Sequence, residues 1–307
     1  MSRTIPVLLT LLAFLLTAAP ADAAKRPAIG IGEQKVGMFF DPHWKRLGLR
    51  DVRYIAPWDT LKDPGQLALL DTWVAAARAS RSRILIGFER SLRSEKLANT
   101  LPTAQQIERQ FVRFRARYPF VKDWLVWNEA NHPLAMTGHR PRRAAQFYDA
   151  VQRNCYTCRV VAADVLDVPG MANWVRKFRR FAHFTPRVWG VHNYGDANQF
   201  SSKSTRELLR VTRRGKVWFT ETGGLVLRRE YDGDRVTARY GYSLRHAARA
   251  TLHAIRLGNL SKRIERIYLY HWRAPHPVTN WDSAFIDGHG KPRRAYHVLA
   301  KKLKRMR

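Results

Sequence analysis

Acidic residues are scarce in this chain. Asp and Glu number 24 against 55 Lys and Arg, which leaves a formal net charge of +31. Cysteine is scarcer still, with two in 307 residues. That count excludes a fold stapled by a disulfide framework, and a zinc site built on Cys155 and Cys158 would need two further ligands where no second pair exists. Past the N-terminal stretch no segment is apolar enough to cross a bilayer, so no transmembrane segment is expected in the mature chain. No Gly-x-Gly-x-x-Gly follows the first strand-like run, which removes the main signal of a dinucleotide-binding, doubly wound sheet. Internal repeats and low-complexity tracts are absent as well. What is present supports a large core: 45% of the residues are hydrophobic and 11% aromatic, in a length that suits one barrel-sized domain or two smaller ones.

The basic surplus is spread along the whole chain and belongs to no recognisable nucleic-acid module, neither paired Cys/His fingers nor a basic region followed by heptads, so specific nucleic-acid binding is not expected. Two readings of it stay open. One is a solvated Arg-rich surface that maintains solubility; the other is attraction to anionic polymers such as acidic glycans, cell-wall phosphates or extracellular nucleic acid. At the N-terminus, Arg3 precedes an apolar run over 5–19, and Ala21-Asp22-Ala23 supplies the small-x-small pattern of a cleavage site. This predicts a signal peptide over 1–23 and a secreted or cell-envelope protein spanning 24–307. In such a protein the Cys155-x-x-Cys158 pair reads as a local disulfide, as free thiols, or as a redox pair. The apolar, strand-like "RVVAADV" that follows is unlike the helix that a redox pair normally opens.

An alternation organises the rest. Short, β-rich apolar runs occupy 35–40 (KVGMFF), 51–58, 83–89, 123–129, 159–165, 187–194, 216–222 and 266–272, and segments of helical periodicity lie between most of them. Near-continuous apolar strands alternating with amphipathic helices imply a parallel sheet covered on its outer face. Eight such units predict an α/β fold, a single-domain (β/α)8 TIM barrel.

In that fold the active site lies at the C-terminal ends of the strands. Glu129 then ends the fourth strand and Glu221 the seventh, while Arg53, Glu89, Asp164, His192, Tyr194 and Trp272 end others. Two carboxylates facing each other over a sugar ring are the minimum equipment for hydrolysing a glycosidic bond, one protonated to donate to the leaving oxygen and one ionised to attack the anomeric carbon. Arg53 and Tyr194 are the groups available to hold one of them ionised. Each residue taken singly has a plainer role: ion pairing for the glutamates, turn capping for Asn128, pairing with Asp59 or Glu89 for Arg53, and packing for His192, Tyr194 and Trp272.

The motifs "WNEAN" (127–131), "HNY" (192–194), "FTETGG" (219–224) and "YHW" (270–272) resemble those of the retaining glycoside hydrolases of clan A, the 4/7 superfamily, with a catalytic domain like that of families 39 and 5. The segment 282–299 is similar to the closing turn and last helix of such domains. The resemblance implies Glu129 as general acid/base and Glu221 as nucleophile. It also implies Asn128, Arg53, His192 and Tyr194 as substrate-binding or positioning residues, Trp272 as an apolar platform for a sugar face, a carbohydrate substrate, and no metal or organic cofactor. Ala130 stands where many members carry Pro, and Thr222 where many carry an aromatic residue, which leaves subfamily and sugar open between a range of mainly β-linked substrates. Two other classes of function remain: a catalytically silent, glycan-binding barrel, and a basic protein that binds anionic surfaces.

Overall fold

Ile29 and Ile31 alternate with Gly30 and Gly32 in β1 (Ala28–Gly32), and the isoleucines face the surrounding helices while the glycines face inward. In the computed structural model, which describes residues 26–232, 235–276 and 280–306, this strand pairs with its neighbours on both sides and so closes a barrel. A side chain at Gly30 would meet the Asp51 Cβ at 2.6 Å, so glycine is what lets the two strands approach. The first strand was expected at 35–40, and this is corrected: Val36–Phe40 is a 3-10 turn. Met38 and Phe39 are adjacent and both buried whereas Phe40 is exposed, a pattern that the two-residue period of a strand cannot produce. The expected signal peptide, 1–23, lies outside the described residues.

The order along the chain continues α1 (Pro42–Leu47), β2 (Asp51–Pro57), α2 (Pro64–Ala79), β3 (Arg83–Glu89), α3 (Glu95–Ala98), α4 (Ala104–Arg117) and β4 (Asp123–Leu125). Next come α5 (Pro141–Arg153), β5 (Arg159–Leu166), α6 (Met171–Phe181), β6 (Val188–His192), α7 (Tyr194–Asn198), α8 (Lys203–Val211) and β7 (Lys216–Thr222). A hairpin of β8 (Leu227–Asp232) and β9 (Arg235–Tyr240) precedes α9 (Leu244–Leu257), β10 (Ile264–Tyr270), β11 (Trp281–Asp282) and α10 (Arg294–Lys304). Eight parallel strands close in the order β1-β10-β7-β6-β5-β4-β3-β2, so the fold is the (β/α)8 barrel. The order of elements expected from the sequence did not include the antiparallel sheet β11-β8-β9, which is built from the segments following β7 and β10.

Two apolar layers hold the barrel. Inside, Ile55, Leu85, Leu125, Val161, Val188, Trp218 and Tyr268 fill the lumen, one from each strand except β1. Outside, a larger layer lies between strands and helices. In α6, for example, Met171, Trp174, Val175 and Phe178 are buried against the sheet while Arg176, Lys177 and Arg180 face water. That division gives much of the positive charge a simple location, the outer faces of amphipathic helices. At the N-terminal end of the barrel, Arg266 donates to Asp123 at 2.6 Å and to the Tyr268 hydroxyl at 3.0 Å, and lies 3.6 Å from Asp51.

Candidate active site

The fourth strand leaves regular pairing after Leu125. Single backbone bonds then carry it upward: Val126 N–H to Val161 at 3.0 Å, Asn128 N–H to Phe88 at 2.7 Å and Ala130 N–H to Asp164 at 2.8 Å. Between the last two, Glu129 adopts φ +46°, a left-handed conformation that costs a non-glycine residue on the order of 1–3 kcal/mol. The flanking bonds keep it there, and the result is that the Glu129 carboxyl meets the end of β6. Its Oε1 lies 3.1 Å from His192 Nδ1.

His192 is fully buried and joins three carboxylates. Its Nε2 is 3.1 Å from Asp164 Oδ2 and 4.0 Å from Glu221 Oε2. Space for this arrangement comes from Gly190, two residues earlier on β6, where an added Cβ would fall on Asp164 Oδ1. Thr220 donates to the same Asp164 oxygen. Beneath them, Arg53 of β2 donates from Nη1 to Glu221 Oε2 at 2.8 Å and from Nη2 to Asn128 Oδ1 at 2.7 Å and Asp164 Oδ2 at 3.1 Å. The Tyr194 hydroxyl donates to the other oxygen of Glu221, Oε1, at 3.1 Å.

The electrostatics follow from burial and neighbours. Burial by itself would push the His192 pKa down, but the charges of Glu221 and Asp164 and its bonds to Asp164 and Glu129 outweigh it and push it up to about 10. Its imidazolium in turn overcomes burial at Glu129 and at Asp164 and holds both below the usual carboxylate range. Burial disfavours the Arg53 charge too, yet Asp164 and Glu221 raise its pKa. Tyr194 is pushed well above 10, first by burial and then by Glu221, so it remains a phenol that can donate. Glu89 behaves differently: desolvation is its dominant influence and pushes it up to about 7.

These groups open onto a cavity of about 830 Å3 lined by Glu129, His192, Tyr194, Glu221, Tyr270 and Trp281 among others. A smaller cleft of about 340 Å3, lined by Glu89, Trp127 and Asn128, shares Glu129 and His132 with it. Glu129 thus stands on the ridge between two spaces.

Of the residues singled out from the sequence, Glu129, Glu221, Arg53, Asn128, His192 and Tyr194 are brought together. Trp272 is not, and its expected role as a sugar platform is corrected. It is 1% exposed, donates from Nε1 to Asp41 Oδ2 at 2.9 Å, and packs against Trp44, Phe285 and Tyr296. The aromatic rings that do face the cavity are Tyr194, Tyr270 and Trp281. Trp281 meets Tyr194 edge-on, with centroids 4.8 Å apart. Sequence reasoning also missed Glu33, just beyond β1, whose Oε1 accepts from Lys35 N–H at 3.0 Å and whose Oε2 accepts from Trp272 N–H at 3.1 Å. Cys155 and Cys158 lie away from the site with Cα atoms 5.3 Å apart, within the span of a disulfide. Among the described residues no group of three or more His, Cys, Asp and Glu side chains is arranged to hold a metal ion.

No protein-family model matches the chain, and no curated protein matches it. Solved structures do match in fold. A family 39 glycoside hydrolase from Bacteroides cellulosilyticus WH2 is 13% identical with a TM-score of 0.58, over 91% of this chain and 64% of that one. A β-glucuronidase from an uncultured Clostridium sp. is 11% identical with a TM-score of 0.60, over 92% of this chain and 50% of its own. An endo-1,4-β-xylanase from Caldicellulosiruptor owensensis is 12% identical with a TM-score of 0.61, over 90% of this chain and 96% of that one. The chain therefore spans about two thirds of the first of these and half of the second, and what it shares with all three is the barrel fold.

Proposed function

We propose that this protein is a glycoside hydrolase that cleaves an O-glycosidic bond of a poly- or oligosaccharide by double displacement with retention. One observation carries the reading: Glu221 and Glu129 face a single cavity from the ends of the seventh and fourth barrel strands, with both oxygens of Glu221 held by donors, Arg53 and Tyr194. The glycoside hydrolases among the fold neighbours support it, as does the leader-like N-terminus for action outside the cytoplasm.

The chemistry assigns a Glu221 oxygen to attack the anomeric carbon as the bond to the leaving oxygen breaks and that oxygen takes a proton from Glu129. Water, giving its proton to Glu129, then displaces Glu221 from the glycosyl ester. His192 supplies what Glu129 lacks. In the resting site the imidazolium holds its proton on Nδ1, 3.1 Å from Glu129 Oε1, and Glu221 is among the charges that hold it there. As Glu221 becomes an ester its charge disappears and His192 becomes more acidic, so the Nδ1 proton passes to the Glu129 carboxylate and from Glu129 on to the leaving oxygen, leaving His192 neutral and Glu129 ionised. Return of the Glu221 charge reverses the transfer. Asn128, whose Oδ1 is engaged by Arg53, stands beside Glu129 where a sugar hydroxyl would bind.

The test is reducing-sugar release from neutral and acidic polysaccharides and aryl glycosides. Both Glu221→Ala and Glu129→Ala should lower kcat/KM by about 10²- to 10⁴-fold, with proton NMR showing that the first product retains its anomeric configuration. Unchanged hydrolysis by Glu221→Ala, or an inverted first product, would refute the assignment.

A further inference from the structure

Each carboxylate that lines the large cavity is engaged by a hydrogen-bonding neighbour. Glu221 is held by Arg53 and Tyr194, and Glu129 by His192. Asp167 accepts from the N–H groups of Gly195 and Asp196, at 3.1 and 2.7 Å. Asp196 accepts from those of Ser204 and Thr205, at 3.2 and 2.6 Å, and Glu33 from those of Lys35, Trp272 and Arg273. Burial further pushes Glu33 up, and Asp167 up to about 6, which lowers the negative charge they carry.

Cations line the same cavity from several directions. Lys35 follows β1, Lys203 opens α8, Arg228 and Arg239 stand on the β8–β9 hairpin, and Arg273 follows β10, so positive charge enters from four separate segments around one mouth. Lys35, Lys203 and Arg273 are exposed there. Arg228 lies over the Trp281 ring, 5.3 Å from its centroid, and so places a cation beside an aromatic face of the cavity. An arc of cations converging on a concave, aromatic-lined cavity concentrates a positive field where a ligand must enter.

Resting on the hydrolase reading above, we infer that the sugar unit bound in this cavity carries an anionic group, so that the substrate class is an acidic saccharide rather than a neutral one. Carboxylate and sulfate share the chemistry that Lys and Arg recognise, and the test separates them. Initial rates are measured on the 4-nitrophenyl β-D-glucuronide, the 6-O-sulfated β-D-glucoside and the plain β-D-glucoside, alongside calorimetric titration with a glucuronate oligosaccharide and a neutral gluco-oligosaccharide of equal length. One or both acidic substrates should exceed the neutral one in kcat/KM by roughly tenfold to a hundredfold at low salt, the range of one or two charge-assisted hydrogen bonds. That ratio should fall with added salt and collapse toward one in the Lys35→Gln, Lys203→Gln, Arg273→Gln triple variant. Whichever acidic substrate responds identifies carboxylate or sulfate. Hydrolysis of the neutral glycoside with equal or greater efficiency overturns the inference and leaves the hydrolase reading in place. With no hydrolysis of any substrate, salt-sensitive binding of the glucuronate oligosaccharide that the triple variant loses supports it, and equal or absent binding of the two oligosaccharides overturns it.

Discussion

Replacing His192 by Gln removes the one titrating group on which the site converges, and the structure sets how large the effect should be. A folded-state pKa of about 10, against 6.5 for a free imidazole, corresponds to an upper bound of about 5 kcal/mol of stability. The interactions that raise His192 are the same ones that lower Asp164 and Glu129, so a share of roughly 2–4 kcal/mol is expected for the imidazole. Because the folded pKa is raised, this contribution is complete below about pH 6.5, where the unfolded imidazole is charged as well, and is lost as pH rises through about 10. The assay is urea unfolding followed by tryptophan fluorescence at pH 6.5, 8 and 10.5, on the unaltered protein and on His192→Gln. Other lysines and tyrosines titrate over this interval in both proteins, so the informative quantity is the gap between them. It should narrow by about 2 kcal/mol or more from pH 6.5 to 10.5. A gap independent of pH would refute the charged imidazole, and with it the proton supply assigned to Glu129.

Two further substitutions separate packing from chemistry. Trp272→Phe should destabilise the fold by about 1–3 kcal/mol through lost volume and the lost bond to Asp41, while KM for any responding glycoside stays within about twofold; a large rise in KM would return Trp272 to the cavity. Gly190→Ala should cost about 1–3 kcal/mol in denaturant unfolding and lower kcat/KM by at least about tenfold, because a Cβ there displaces Asp164 and lies 2.7 Å from Thr220 Oγ1; full activity would mean that Asp164 does not position His192.

The barrel was legible because most of its units repeat one signal, a bulky apolar run followed by an amphipathic helix. It failed at β1, where two of five residues are glycine and the inner face carries no side chain to read. With the first strand expected at 35–40, Glu33 falls before the first expected element and carries no site signal. The hairpin β8–β9 carried a recognisable sign, Asp232-Gly233 between alternating residues, but its polar composition resembled a loop. Side-chain direction past a strand's end was not legible at all. Tyr270 faces the cavity, and two-residue alternation would place Trp272 beside it, but β10 ends at Tyr270 and the indole turns outward to Trp44 and Tyr296. The same break works the other way in the fourth strand. Leu125 points into the lumen and alternation would carry Trp127 inward with Glu129, yet Trp127 packs on Phe147 outside, and Glu129 reaches the site only through its positive φ.

Buried charge occurs at both ends of this barrel, and the comparison between them argues for function at one. At the N-terminal end, Arg266 is shared between Asp123 and Asp51, Arg159 adds a second partner to Asp123, and none of these groups lines the large cavity. Such a network plugs the lumen and needs no ligand to explain it. The C-terminal end differs in that its charged groups open onto the large cavity. It contains a left-handed glutamate, an Arg53 whose Nε has no partner among the described residues, and a fully buried imidazole crowded by three carboxylates. Apolar side chains of similar volume would stabilise that end at least as well. What they could not do is keep two carboxyl groups facing one cavity in unlike surroundings, one tied to a guanidinium and a phenol, the other to an imidazolium. Two carboxyl groups facing one cavity with neighbours that perturb them differently are what catalysis would require and packing alone would not retain.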